Sequence, residues 1–255
     1  MKVLGLVGNM GVGKDTIAEI LRVKHNWIVA ALADELKRTT GLIFDLPMHV
    51  MFGESKLRAT RDDRVFTNEY WAECEDRILA NKQRILNLFP PKHQEEAWIA
   101  LYRELSHFAS NREKCTARYF LQRMGTEWGR SVYVNVWVDA LGVTISNLKT
   151  GRFGYSREYG LSLDDIPDYP VDVPVGVAVT DCRFDNEIWA THHWGGKAIW
   201  VDASGRVKPS GDTHASEPTY ENFKALVDGK IDNNGSPTDL EHAVDSLVQD
   251  KEFWA

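Results

Sequence analysis

The segment Gly8-Asn9-Met10-Gly11-Val12-Gly13-Lys14-Asp15-Thr16 has the residue types and spacing to hold a chain of phosphates. Its Gly-x4-Gly-Lys spacing is that of a Walker A loop, in which backbone N–H groups cradle phosphate oxygens. A helix beginning at the lysine adds the positive end of its dipole to the same spot. Lys14 is placed to reach the terminal phosphates as a point charge. The residue after the lysine is usually a Ser or Thr whose hydroxyl holds Mg²⁺. Here it is Asp15, a hard oxygen ligand suited to that ion directly or through water. Thr16 follows with a hydroxyl within reach of the α-phosphate. The expected ligand is a nucleoside triphosphate gripped through Gly11, Gly13, Lys14, Asp15 and Thr16.

A second segment, Val179-Thr180-Asp181-Cys182-Arg183-Phe184-Asp185-Asn186-Glu187, reads as an apolar strand ending in an acid, the Walker B pattern. It would place Asp181 at the C-terminal edge of a sheet, beside the phosphate loop, to hold Mg²⁺ through water or to accept a hydrogen bond from a substrate. Arg183 can point at the same crevice, and Glu187 lies one helical turn further on. The same residues also suit a plainer arrangement, with Asp181 capping the following helix and Arg183 paired to it at the surface. An acceptor phosphate needs cations of its own, and arginine suits it through bidentate geometry. The candidates are Lys37; the cluster Lys56, Arg58, Arg61 and Arg64 around Asp62 and Asp63; and Arg123 and Arg130 flanking Gly125-Thr126. The Arg58–Arg64 cluster equally fits a self-paired surface helix. Adjacent His192 and His193 point to different faces of one helix and do not make a metal site with Cys182.

These residues need strands and helices in alternation to bring them together. Val3–Val7 reads as a strand and Lys14–His25 as a helix, followed by strand Trp27–Leu32 and helix Ala33–Phe44, in which Leu36, Thr40 and Ile43 share a face. Glu69–Leu88 reads as one long helix ended by Phe89-Pro90-Pro91, and Glu95–Ser110 as another. Thr116–Met124 is expected to be helical with Gly125 as its stop, and Trp128–Leu141 helical in turn. Residues 151–173 lack clear periodicity and read as an excursion. Val175–Thr180 is expected as a buried strand, Glu187–Trp194 as a helix, Lys197–Val201 as a last core strand, and Asp239–Val248 as a closing helix. Strands separated by helices imply a parallel sheet with helices on both faces.

Composition bounds the rest. At 255 residues the chain can bury one core, or one core with an inserted subdomain. No apolar stretch is long enough for a bilayer, and a strand starting within two residues of Met1 leaves no room for a signal peptide. Three widely spaced cysteines (Cys74, Cys115, Cys182) fit free thiols in a reducing cytoplasm. A net charge of −7 argues against a protein that coats nucleic acid.

The segments Gly8–Thr16, Leu121-Gln122-Arg123-Met124-Gly125-Thr126, Val179–Glu187 and Asp212-Thr213-His214-Ala215-Ser216-Glu217 occur in the same order in the phage deoxynucleoside monophosphate kinases, and the chain resembles that family over most of its length. Ile231-Asp232-Asn233-Asn234-Gly235-Ser236 resembles the family's closing strand and turn before a last helix. The resemblance implies an α/β P-loop kinase fold in a single domain, with a central parallel sheet, helices on both faces and a helical substrate or lid insertion over about 45–120. It also implies ATP and Mg²⁺ as cofactors, γ-phosphoryl transfer to a deoxynucleoside 5′-monophosphate, a homodimer, and a cytoplasmic setting (the host cytoplasm for a phage protein). Catalysis of such a transfer is mostly positioning and charge, which suits Lys14, Arg64, Arg123 and Arg183. Lys37, Arg64, Gly125, Thr126, Trp137, Asp181 and Glu187 are the implied substrate contacts, Trp137 as a wall for the acceptor base. Asp15 and Asp181 are the implied metal ligands, and the His214 loop approaches the nucleotide or steadies the fold near it.

The chain departs from the family at Asn9, Met10 and Gly11, where relatives are basic or polar, so its acceptor preference is expected to differ. Residues 141–173 are expanded and form a candidate mobile lid in which Arg152 and Arg157 reach the donor phosphates. Other readings stay open: a kinase for a modified deoxynucleotide, a small-molecule kinase like dephospho-coenzyme A kinase, or a P-loop ATPase or nucleotide-binding module that transfers no phosphoryl group to a small acceptor.

Overall fold

The computed structural model describes residues 1–151, 153–162, 174–206 and 219–255. The chain forms two compact units. Unit 1 comprises Met1–Leu32, Thr144–Tyr155 and Leu161–Ala255; unit 2 comprises Ala33–Val143 and Ser156–Gly160.

Unit 1 is α/β. Its strands are β1 (Lys2–Val7), β2 (Trp27–Ala30), β5 (Gly176–Cys182), β6 (Lys197–Asp202) and β7 (Gly229–Asp232), in the order β2-β5-β1-β6-β7 and parallel throughout. A parallel sheet must be covered on both faces, which is why β1 is apolar without alternation, with Val3–Val7 all buried. On one face Leu4, Leu6, Ala178, Ile199 and Val201 pack with Ile17 and Leu21 of α1 (Lys14–His25) and with Leu240 and Val244 of helix Pro237–Gln249. On the other, Gly5 lets Thr191 of helix Asp185–His193 come close, where a Cβ would stand 2.9 Å from its hydroxyl.

The sheet differs from expectation at one edge. β2 ends at Ala30, before Leu32, whose N–H is instead taken by the Asp181 carboxylate at 2.8 Å. Lys197–Val201 is the last core strand, as expected, and β7 pairs beside it at the edge, with Val201 opposite Ile231, where the resemblance puts a closing strand. Hydropathy misses β7 because only Ile231 of its four residues is buried, as suits an edge strand. Residues 142–149 are no loop: they finish a helix running Val136–Lys149. A short two-stranded sheet follows, β3 (Gly154–Ser156) and β4 (Gly160–Ser162). The rest of the expected lid, including Arg152, and the Asp212–Glu217 motif lie outside the described residues.

Unit 2 is helical apart from its part in that small sheet, and wider than the 45–120 insertion read from sequence. It opens with α2 (Ala33–Phe44), as expected. The expected helix 69–88 is instead Asn68–Ala80 and Lys82–Leu86. They part at Asn81, whose backbone leaves helical dihedrals (φ −109°, ψ 16°) while its side-chain amide donates to Arg77 O at 2.8 Å, a local bond that competes with continued helix. Gly125 does not stop a helix either. Helix Ala117–Arg123 widens into a π-helical stretch, Met124–Arg130. The glycines there serve close packing: a Cβ on Gly125 would meet Leu36 at 2.9 Å, and one on Gly129 the Trp137 ring at 2.6 Å. The core centres on Phe44, stacked on Phe120 at 4.1 Å and edge-on to Phe108 at 5.3 Å. Phe44→Ala is expected to destabilise unit 2 by about 3–5 kcal/mol, read as a lowered urea midpoint.

Candidate phosphate-binding site

Between the end of β1 at Val7 and the start of α1 at Lys14, the chain must turn without side chains in the way. Gly8 has φ 147° and backs onto β6, where a Cβ would stand 2.9 Å from Val201 O. Gly13 has φ 100° and caps α1 in the left-handed region, a conformation that costs glycine nothing extra. The first N–H groups of α1 have no acceptor within the helix, and they carry its positive dipole end. Together with Lys14 they can hold an anion.

Lys14 is buried, and its Nζ donates to Gly8 O and Asn9 O, both at 2.7 Å. Burial pulls its pKa down to about 8; nearby Arg183 pushes the same way, and Asp15 and Asp181 oppose them. Arg183, Asp15 and Asp181 thus all lie near enough to act on the charge of Lys14. Asp15 and Thr16 are exposed on the first turn of α1, and Met10 is 76% exposed at the loop tip. Among the described residues no cluster of three or more His, Cys, Asp or Glu could hold a metal. That does not count against Mg²⁺, which is commonly held by one or two carboxylates plus substrate phosphates and water.

Asp181 reaches back to the end of β2. Its Oδ1 accepts from Leu32 N, which ties the end of β2 to β5. The cap comes from Glu187, fully buried, whose Oε2 accepts from Arg183 N at 2.6 Å and Phe184 N at 3.1 Å. Glu187 thus sets the turn that carries Arg183, and Arg183 stays exposed. The sequence reading gave no separate role to Asn233, which is buried behind the loop with Nδ2 donating to Val12 O at 2.8 Å. The only signal in the chain was its place in the Asp232–Ser236 turn.

The remaining candidates belong to unit 2, where its three implied cations take separate partners. Arg64 is exposed and gripped by Asp62 and by Asp45 Oδ2 at 2.6 Å. Arg123 makes a bidentate pair with buried Glu104, at 2.7 and 3.0 Å. Lys37 is half-buried, its Nζ 5.0 Å from the Phe52 ring centre. The Lys56–Arg64 cluster largely pairs within its own neighbourhood, Lys56 with Glu54 and Arg58 with the carbonyls of Met51 and Gly53. Gly125 is buried and Thr126 exposed. Trp137 is buried and donates to Gly125 O at 3.1 Å, an arrangement of core packing. Arg157 engages fully buried Asp34 in three contacts, at 2.8, 3.1 and 3.2 Å, and Arg38 donates to Arg157 O at 2.7 Å. Sequence patterning gave no sign of Asp34, Arg38 or Glu104 as partners.

Fold and loop together define an α/β protein with a five-stranded parallel sheet and a glycine-rich loop competent to hold an anion. No protein-family model matches the chain, and no curated protein matches it. Among the described residues no helix is long and apolar enough to cross a membrane.

The lowered pKa of Lys14 has a signed consequence. Between about 8 and 10.5 the unfolded chain holds the proton that the folded protein has lost. Stability therefore rises with pH through that window. Unfolding free energies of wild type minus Lys14→Met are expected to be flat below pH 8 and to climb toward pH 10.5; a flat difference throughout excludes a desolvated Lys14.

Proposed function

We propose that this chain is a P-loop kinase that transfers the γ-phosphoryl group of ATP to a deoxynucleoside 5′-monophosphate. The observation that carries the reading is the Gly8–Thr16 loop, turned on glycines between β1 and α1, with buried Lys14 inside it and Asp15, Asp181 and Arg183 acting on that lysine. β1 lies between β5 and β6, so the loop leaves the carboxyl end of a central strand, where open parallel sheets bind ligands. The Gly-Lys-Asp-Thr variant and the resemblance to phage deoxynucleoside monophosphate kinases narrow the class to small-molecule phosphoryl transfer.

In this reading the loop N–H groups and Lys14 bind the donor triphosphate, Lys14 exchanging its two carbonyl partners for phosphate oxygens. Asp15 and Asp181 would hold Mg²⁺, which supplies charge neutralisation on the phosphates when bound. Both carboxylates already favour the charged form of Lys14, so a cation is compatible with their surroundings. Arg183, set by Glu187, adds positive charge for the transferring group. Arg64 and Arg123 are the implied clamps for the acceptor phosphate, and each must release a carboxylate partner to bind it.

Asp15→Ala is expected to lower Mg²⁺-dependent turnover at least tenfold, about 1.4 kcal/mol of barrier. Unchanged turnover with unchanged Mg²⁺ dependence places the carboxylate outside the metal's coordination. A coupled ADP-release assay across common and modified deoxynucleoside monophosphates is expected to show acceptor-dependent turnover. Hydrolysis independent of any acceptor overturns the kinase reading in favour of an ATPase.

A further inference from the structure

The glycine-rich loop is held from far along the chain. Asn233, in the turn after β7, is 3% exposed, and its Nδ2 donates to Val12 O at 2.8 Å. The residue is itself fastened: its backbone N–H donates to Asp202 O at the end of β6, at 2.7 Å. The next side chain accepts from Gly205 N through Asn234 Oδ1 at 2.6 Å. A Cβ on Gly13 would run into the Asn233 amide nitrogen, so that amide fills space which only glycine leaves open.

In a trans peptide the C=O and N–H point in opposite directions. Anchoring the Val12 carbonyl on Asn233 therefore turns the Gly13 N–H to the opposite side of the Val12–Gly13 peptide plane. With the peptide reversed, the loop would offer an anion a carbonyl where it now offers a donor. Glycine at position 13 offers little resistance to such a reversal, because it tolerates either sign of φ. We propose that Asn233 is the positioning residue of the loop, locking the Val12–Gly13 peptide so that its N–H faces the phosphate oxygens of the ligand. This rests on the loop being a triphosphate site, and on nothing about the acceptor.

The test is calorimetric binding of inorganic tripolyphosphate, with Mg²⁺, to the full chain. Asn233→Ala removes the amide, and Asn233→Asp keeps its shape while replacing the donor with an acceptor. Both are expected to weaken binding by about tenfold or more and to raise the KM for ATP similarly, with the acceptor KM unchanged. A merely structural residue would lower melting temperature and active fraction and leave both constants for the folded molecules alone. Folded variants that bind tripolyphosphate like wild type overturn the proposal. Should both variants misfold, the wild-type Gly13 amide proton decides: a downfield shift on saturation with tripolyphosphate supports the assignment, and an unmoved signal overturns it. Wild type that binds tripolyphosphate but phosphorylates no deoxynucleotide sinks the kinase reading and leaves this comparison intact. Wild type that binds no tripolyphosphate overturns both.

Discussion

A buried strand that must give way to a helix within a few residues, leaving the helix's first N–H groups uncovered, is the constraint around which unit 1 is arranged. The turn is passable because Gly8 and Gly13 take positive φ where the neighbouring backbone and side chains leave no room for a Cβ. Each neighbour comes from a different part of the chain: Val201 from β6, Asn233 from the turn after β7, and Asp181, which acts on Lys14, from β5. The parallel sheet is the device that gathers them, since its strands end side by side.

Charge follows the same logic. Lys14 is an ammonium taken out of water, and that burial lowers its proton affinity although two carbonyls accept from it. Unit 2 treats its charges differently. Asp34 and Glu104 are fully buried and each is matched by an arginine, Arg157 and Arg123. Removing Arg123 takes from buried Glu104 the cation that faces it, which costs more than the pair contributes.

How much was legible depends on how local each signal was. Helices α1 and α2 were readable to the residue because period, glycine turn and apolar face agree over a dozen positions. The glycine turn between β1 and α1 was readable because its spacing encodes backbone geometry directly. The break at Asn81 was missed because a side-chain cap can interrupt an otherwise periodic helix. Gly125 was misjudged as a stop because glycine serves chain reversal and close packing alike, and only the presence of Leu36 beside it tells which. β7 was invisible to hydropathy, with Ile231 its one buried residue.

By itself, the sequence determined the alternation of strands and helices, the glycine-rich turn and the identity of the cation within it, because these depend on residues adjacent in the chain. Only the tertiary structure decided what each charged group does. Asp181 binds a backbone N–H 149 residues away, Arg123 meets Glu104, and Asn233 reaches Val12 across 221 positions. A carboxylate, guanidinium or amide has the same composition whether it binds ligand or backbone; its partner is chosen by which strands and helices lie next to each other.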